Sequence, residues 1–281
     1  MDYQWYPGHM TKTRRMIEED IKLIDLVIEL LDSRIPMSSR NPDIDRLSQG
    51  KARMVILNKA DLSDGKITER WIEYFRSRGI TCSAIDSRAS GSAKRLTPAI
   101  MEACREKIER NKRRGIKNRP VRALVAGVPN VGKSTFINSF AGRKLAKTGN
   151  KPGVTRGKQW IRLNNDVELL DTPGILWPKF EDQIVGLHLA MIGAIKEDVM
   201  NLEELSIEIL THLGDNSPEL IEQRYGIGAG SPLEMLQEIA KVRGCLLKGG
   251  EYDYAKASKI VVDEFKNGVI GRFSLEKPED Y

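Results

Sequence analysis

Residues Gly127–Thr135 read GVPNVGKST and match the pattern G-x-x-x-x-G-K-[ST]. Glycines let such a loop curl until successive backbone N–H groups point at one centre, and a following helix N-terminus adds partial positive charge. The chemistry is phosphate binding, with Asn130, Val131, Gly132 and Thr135 in the cradle. Lys133 is placed to reach the β and γ phosphates, and the Ser134 hydroxyl suits Mg²⁺. A second constellation, NKAD at Asn58–Asp61, suits a base rather than a phosphate. The Asp61 carboxylate can accept both N1–H and the exocyclic amine of guanine, a donor pair adenine lacks. Asn58 and Lys59 would brace base and loop. Asp and Asn also favour plain turns and helix caps, so this motif takes its meaning from the P-loop beside it. A third, DTPG at Asp171–Gly174, supplies a carboxylate for Mg²⁺ at Asp171 and a backbone N–H for the γ-phosphate at Gly174. Between the P-loop and DTPG lies KPGVTRG (Lys151–Gly157), in which Thr155 is the natural Mg²⁺-binding threonine. A Pro-Gly turn with an incidental threonine is the plainer reading.

These residues need a scaffold that presents them on strand ends. Short apolar runs predict buried parallel strands at Ile24–Asp32, Arg53–Asn58, Ile80–Ile85 and Val121–Gly127. Gln159–Leu163 and Val167–Asp171 flank Asn164-Asn165, a predicted hairpin. Helices are expected around Ile67–Arg78, with Trp71, Tyr74 and Phe75 sharing a face, at Leu96–Arg113 as one long basic helix, and at Ser134–Phe140. The alternation predicts an α/β fold with a mostly parallel sheet. From about Glu181 the periodicity is helical, over Gln183–Ile195, Leu202–Leu213, Pro218–Tyr225, Leu233–Val242 and Tyr254–Phe265. The expected domains are an arm and helix at 1–22, a nucleotide-binding domain at 23–178 and a small all-α domain at 179–281.

The bulk properties fit an ordinary globular protein. Of its 281 residues, 40% are hydrophobic and 30% charged. No apolar run is long enough to cross a bilayer, and the N-terminus carries no secretion signal, so a cytoplasmic protein without a membrane partner is expected. Cys82, Cys104 and Cys245 are far apart and form no CxxC, which points to reduced thiols. The net charge is +6, with a strong local excess of Lys and Arg over Arg105–Arg122. A solvated helix face explains such a run as well as a polyanionic partner does.

The order of the motifs is unusual: guanine motif first, P-loop second, DTPG last. Joining the old ends of a GTPase domain and cutting between DTPG and NKAD gives this order without altering the site. The sequence resembles the circularly permuted ribosome-assembly GTPases of the YlqF/RbgA type. The likeness runs through Gln4–Met10 (QWYPGHM), Leu31–Pro42 (LDSRIPMSSRNP), the three motifs, Leu169–Phe180 (LLDTPGILWPKF), Arg243–Gly250 (RGCLLKGG) and Gly271–Glu276 (GRFSLE).

The resemblance implies a two-domain monomer that binds and hydrolyses GTP and acts on the large (50S) ribosomal subunit, contacting its 23S-type rRNA and proteins, with hydrolysis stimulated by the ribosome. Ile175 stands where Ras-like enzymes carry a water-orienting glutamine, and in this family the PGHM histidine, His9 here, is the proposed substitute. An RNA contact or a helix cap is the plainer role for His9. Asn130 implies K⁺ beside Mg²⁺. The loop that touches the guanine O6 through a backbone N–H falls at Ile85-Asp86-Ser87, giving Asp86 and Ser87, with Ser83-Ala84 as a competing register. Arg34 either touches the site or only pairs with Asp32. His188, His212, Trp160 and Trp177 read as packing residues. A nucleotide-gated binding switch with little turnover and a permuted GTPase of the small subunit are the alternatives. The second is disfavoured by the lack of a CxxC spacing or an added N-terminal barrel.

Overall fold

The structure, a computed structural model, describes residues 21–116, 119–142, 159–162, 165–171, 182–196 and 200–281. Six strands form one sheet: β1 (Leu26–Asp32), β2 (Ala52–Asn58), β3 (Thr81–Ile85), β4 (Val121–Ala126), β5 (Gln159–Arg162) and β6 (Val167–Asp171). The order is β3-β2-β1-β4-β6-β5. All pairings are parallel except β5 with β6. That antiparallel pair agrees with the expected hairpin, although Asn164 lies outside the described residues. Every residue of β1 is buried, as a central strand covered on both faces requires.

The helices of this unit are α1 (Asp43–Leu47), α2 (Gly65–Ser77), α3 (Thr97–Ala103), α4 (Arg105–Arg113) and α5 (Lys133–Ala141). Trp71 and Phe75 of α2 are fully buried against Leu31, Val55, Leu57 and Cys82. The Asp64 side chain caps that helix by accepting the Ile67 N–H at 3.0 Å. One expectation fails here. Leu96–Arg113 is not a single helix but a 3-10 turn at Lys94–Leu96 followed by α3 and α4. The junction is Cys104 (φ −101°, ψ 8°), whose N–H is shared between the Ile100 and Met101 carbonyls. The physical reason is packing. α3 buries Ile100, whereas α4 buries nothing and has no apolar stripe to keep it in line with α3.

The second unit contains α6 (Gln183–Met191), α7 (Leu202–Asn216), α8 (Pro218–Tyr225), α9 (Pro232–Val242) and α10 (Tyr254–Lys266). Leu205, Ile209, Leu213, Leu236, Ile239, Val261 and Phe265 are buried along these helices. Ser231 and Glu234 form a capping box that starts α9. Glu264 joins Arg224 (2.8 Å) and Arg243 (3.3 Å) across the bundle. None of the described helices is long and apolar enough to cross a membrane.

The division between the units differs from the expected 179–281. The helical unit spans Asp182–Phe273, and Ser274–Tyr281 belong instead with the sheet-containing unit. This segment has no helical period of its own. Its Glu276 carboxylate is held by the backbone N–H groups of Met37 and Ser38.

Candidate nucleotide-binding site

The chain leaves β1 in one direction, toward β2 and β3, and leaves β4 in the other, toward β6. The carboxyl ends of β1 and β4 therefore flank the point where the strand order reverses, which is where open α/β sheets bind ligands. Gly127–Gly132 connects β4 to α5 at that point. A Cβ on Gly127 would lie 2.5 Å from the Leu30 carbonyl oxygen and 3.0 Å from Val131 Cγ1. Gly132 has φ 99°, and a Cβ there would collide with the Asn58 amide. Asn130 also takes a left-handed φ of 59°. The loop thus curls by two left-handed residues into the first turn of α5. The Lys133 ammonium folds over it, donating to the Gly127 carbonyl (3.0 Å) and the Val128 carbonyl (3.2 Å). Lys133 is 7% exposed, so its charge is held at the mouth of the loop rather than in bulk solvent. Ser134 and Thr135 follow in the first helical turn.

Asn58, the last residue of β2, binds two neighbouring loops together. Its Nδ2 donates to the Val131 carbonyl at 2.8 Å, inside the P-loop. Its Oδ1 accepts from the Ser87 backbone N–H (3.2 Å) and hydroxyl (2.7 Å), just past β3. Asn58 is 2% exposed. In this structure it is a staple between loops. Asp86 and Ser87 lie beyond the end of β3, whereas Ser83 and Ala84 lie within the strand and pair with Ile56 and Leu57.

Lys59 has φ 58°, a strained conformation for a residue with a Cβ. Its ammonium is 2.9 Å from Asp32 Oδ2. Arg34 grips the same carboxylate with two hydrogen bonds, Nε to Oδ1 and Nη2 to Oδ2, both 2.9 Å. Asp32 and Arg34 have no exposed side-chain surface. Burial alone would raise the Asp32 carboxyl, but Arg34 and Lys59 together hold it well below the usual carboxylate range. Of the two roles open to Arg34, the structure shows the pairing with Asp32. Asp61 follows two residues after Lys59. Its Oδ2 meets the Arg88 guanidinium, and its Oδ1 is buried without a hydrogen-bond partner among the described residues. A guanine edge needs both oxygens, so it would take Oδ1 and share or displace the Arg88 contact at Oδ2.

The metal-side residues are only partly described. Asp171 ends β6, and its backbone pairs with Val125 of β4, one residue before the P-loop strand ends. The side chain of Asp171 and the whole of His9, Thr155 and Gly174 lie outside the described residues. Ser134 and Asp171 bring hard oxygen donors, the kind Mg²⁺ takes. Sequence reading of DSR offered the Arg34–Asp32 pair as one of two roles, but missed that Lys59 joins it and missed the Asn58–Ser87 link.

The family model described as 50S ribosome-binding GTPase matches residues 122–224. The protein named ribosome biogenesis GTPase A in Bacillus cereus is 46% identical, over 100% of this chain and 96% of its own length. Its namesake in Bacillus licheniformis is 47% identical over 100% of both chains. A solved structure, GNP-bound YlqF from T. maritima, superimposes with a TM-score of 0.66 at 27% identity, covering 96% of this chain and 100% of that one. A P-loop and a guanine motif meeting at one switch point, in permuted order, with relatives matching along the full length, show that the chain is a GTPase and belongs to the ribosome biogenesis GTPase A (YlqF) family.

Proposed function

We propose that this GTPase acts in assembly of the large ribosomal subunit, with hydrolysis stimulated when the subunit is bound. The full-length likeness to proteins named for ribosome biogenesis carries the reading. The net charge of +6 is in keeping with an RNA-rich partner. The protein works as a cytoplasmic monomer in this reading.

The residues have the following parts. The P-loop N–H groups of Asn130–Thr135 and the Lys133 ammonium bind the phosphates, and Asp61 reads the guanine edge. Asn58 and Lys59 position that carboxylate, and the Asp86-Ser87 loop closes on the base. Ser134, Thr155 and Asp171 would hold Mg²⁺. When bound, the ion offsets negative charge on the β and γ phosphates. Gly174 meets the γ-phosphate through its N–H. Asn130 would hold K⁺, and His9 orients the attacking water that Ile175 cannot hold.

The test is co-sedimentation with purified subunits under GDP and under a non-hydrolysable GTP analogue, with GTP turnover measured with and without each subunit. Large-subunit binding in the triphosphate state, with turnover stimulated there, is the expected result. His9→Ala should lose that stimulation and keep its nucleotide affinity. Binding to neither subunit would refute the assembly reading, and binding to the small subunit alone would redirect it. Binding without stimulated turnover would favour a nucleotide-gated switch, a reading that the apolar Ile175 supports.

A further inference from the structure

The loop that follows β1 is polar, yet Asp32, Ser33, Arg34, Ser38 and Ser39 are each no more than 1% exposed. Loops usually run over the surface because their polar groups need partners. Asp32 and Ser39 find partners within the loop and at Lys59, and the Ser33 N–H donates to the Asn58 carbonyl, but the partners of Met37, Ser38 and the Arg34 carbonyl come from the far end of the chain. Glu276, 2% exposed, accepts the Met37 N–H at 2.7 Å, the Ser38 N–H at 3.0 Å and the Ser38 hydroxyl. The Leu275 N–H donates to the Arg34 carbonyl at 2.9 Å. The Glu276 carbonyl accepts the Trp71 indole N–H at 3.2 Å. On the other side, the Asp64 N–H donates to the Ser274 hydroxyl at 3.3 Å.

One of the two loops so held, ending at Asp64, carries the guanine motif; the other carries Arg34. Arg34 holds Asp32, whose carboxylate pairs with the ammonium of Lys59 of that motif, a residue in the left-handed conformation. Asp64 lies three residues past Asp61 and starts α2. A non-glycine residue in that conformation persists only where its surroundings hold it. We propose that Ser274–Tyr281 is a positioning element for guanine recognition, with Glu276 as the positioning residue that acts through Arg34, Asp32 and Lys59 on Asp61. Phe273 and Ser274 are consecutive yet belong to different units, so this element is joined to the helical unit by one peptide bond.

The proposal rests on Asn58–Asp61 being the guanine site, and the experiment separates the two. In the full chain, Glu276→Ala and Glu276→Gln are compared for fluorescent GDP affinity, for KM and kcat, and for preference between GTP and inosine triphosphate, which lacks the N2 amine. Glu276→Ala should weaken GDP binding about tenfold or more, raise KM in step and leave kcat within about twofold. Its preference for GTP over inosine triphosphate should shrink, because Asp61 is no longer aimed at the amine. Glu276→Gln keeps an acceptor for the two N–H groups and should recover most of the loss. A lower melting temperature with unchanged affinity and unchanged preference would mean a merely structural tail and would overturn the proposal. Should Glu276→Ala fail to fold, Ser38→Ala removes one donor only; a smaller change in the same direction is expected, and no change overturns it. Asp61→Asn is the control for the guanine reading, since it should shift preference toward xanthosine triphosphate. If it does not, that reading fails and the proposal falls with it.

Discussion

Asn58→Ala removes the staple between the guanine and phosphate sides of the site. The wild-type side chain makes three hydrogen bonds, one to the Val131 carbonyl and two from Ser87, all buried. A buried hydrogen bond contributes about 1 kcal/mol net, and each buried group left without a partner costs about 1–3 kcal/mol. Water reaching the vacated space satisfies some of these groups, so the loss is about 2–3 kcal/mol. The β-sheet is built by backbone pairing and apolar burial that Asn58 does not supply, so the loss falls on the loops. At about 1.4 kcal/mol per tenfold, GDP affinity should fall about 30- to 150-fold. Stopped-flow binding of a fluorescent GDP gives the rates, and the increase should lie in dissociation, since the loops are disordered relative to one another rather than blocked. Thermal unfolding of the nucleotide-free protein serves as the control and should move by only a few degrees. An affinity within twofold of wild type would refute the claim that this side chain sets the relation between the two loops.

Other expectations follow from the same geometry. Gly132→Ala places a Cβ at φ 99° and against the Asn58 amide, so nucleotide affinity should drop at least about tenfold with circular dichroism unchanged. The Asp32 carboxyl is held below its ordinary range, so its pairing stabilises the fold at every pH above about 4 and is lost as the pH falls from there toward the folded value. Asp32→Asn should therefore cost about 3–5 kcal/mol near neutral pH, with the gap to wild type narrowing in acid unfolding series below about pH 4. Cys82 and Cys104 are buried, and burial pushes both thiols up to about 12, so a thiol reagent at pH 8 should label neither until denaturant is added. Hydrolysis should be faster in KCl than in NaCl at equal ionic strength if Asn130 holds K⁺; equal rates would reject that assignment.

Strands β1, β2 and β4 were legible because each is a nearly continuous apolar run, as a sheet covered on both faces requires. The P-loop was legible because its chemistry is local: strand, curl, lysine and helix are consecutive. The break at Cys104 was not, since helix-forming residues continue on both sides and only the packing of Ile100 distinguishes α3 from the solvated α4. The double role of Asn58 was hidden for a different reason. Its partners at Val131 and Ser87 become neighbours only once β2, β3 and β4 have taken their places. Ser274–Tyr281 was assigned to the helical domain because nothing in its eight residues reports a partner 239 positions earlier. Arg34 stood open between two roles, and the structure shows one of them, its pairing with Asp32.

The pairing of β1 with β4 carries a consequence for synthesis. The two strands are neighbours in the sheet, yet β2, β3 and four helices are made between them. A growing chain therefore makes the strands and loops of its base-reading half before any phosphate loop exists, although the Ser274–Tyr281 segment that holds those loops comes last of all. Asn58 has no Val131 carbonyl to meet until β4 has docked on β1. Nucleotide cannot template the first half of the domain, because it would have a base edge to grip and nothing for its charge. The stabilisation that a ligand gives by binding only the native state accrues at the final assembly of the sheet. In a GTPase of ordinary motif order the phosphate loop is made first. Here the nascent domain must fold its first three strands on their own apolar packing, and nucleotide arrives as the seal on a completed sheet.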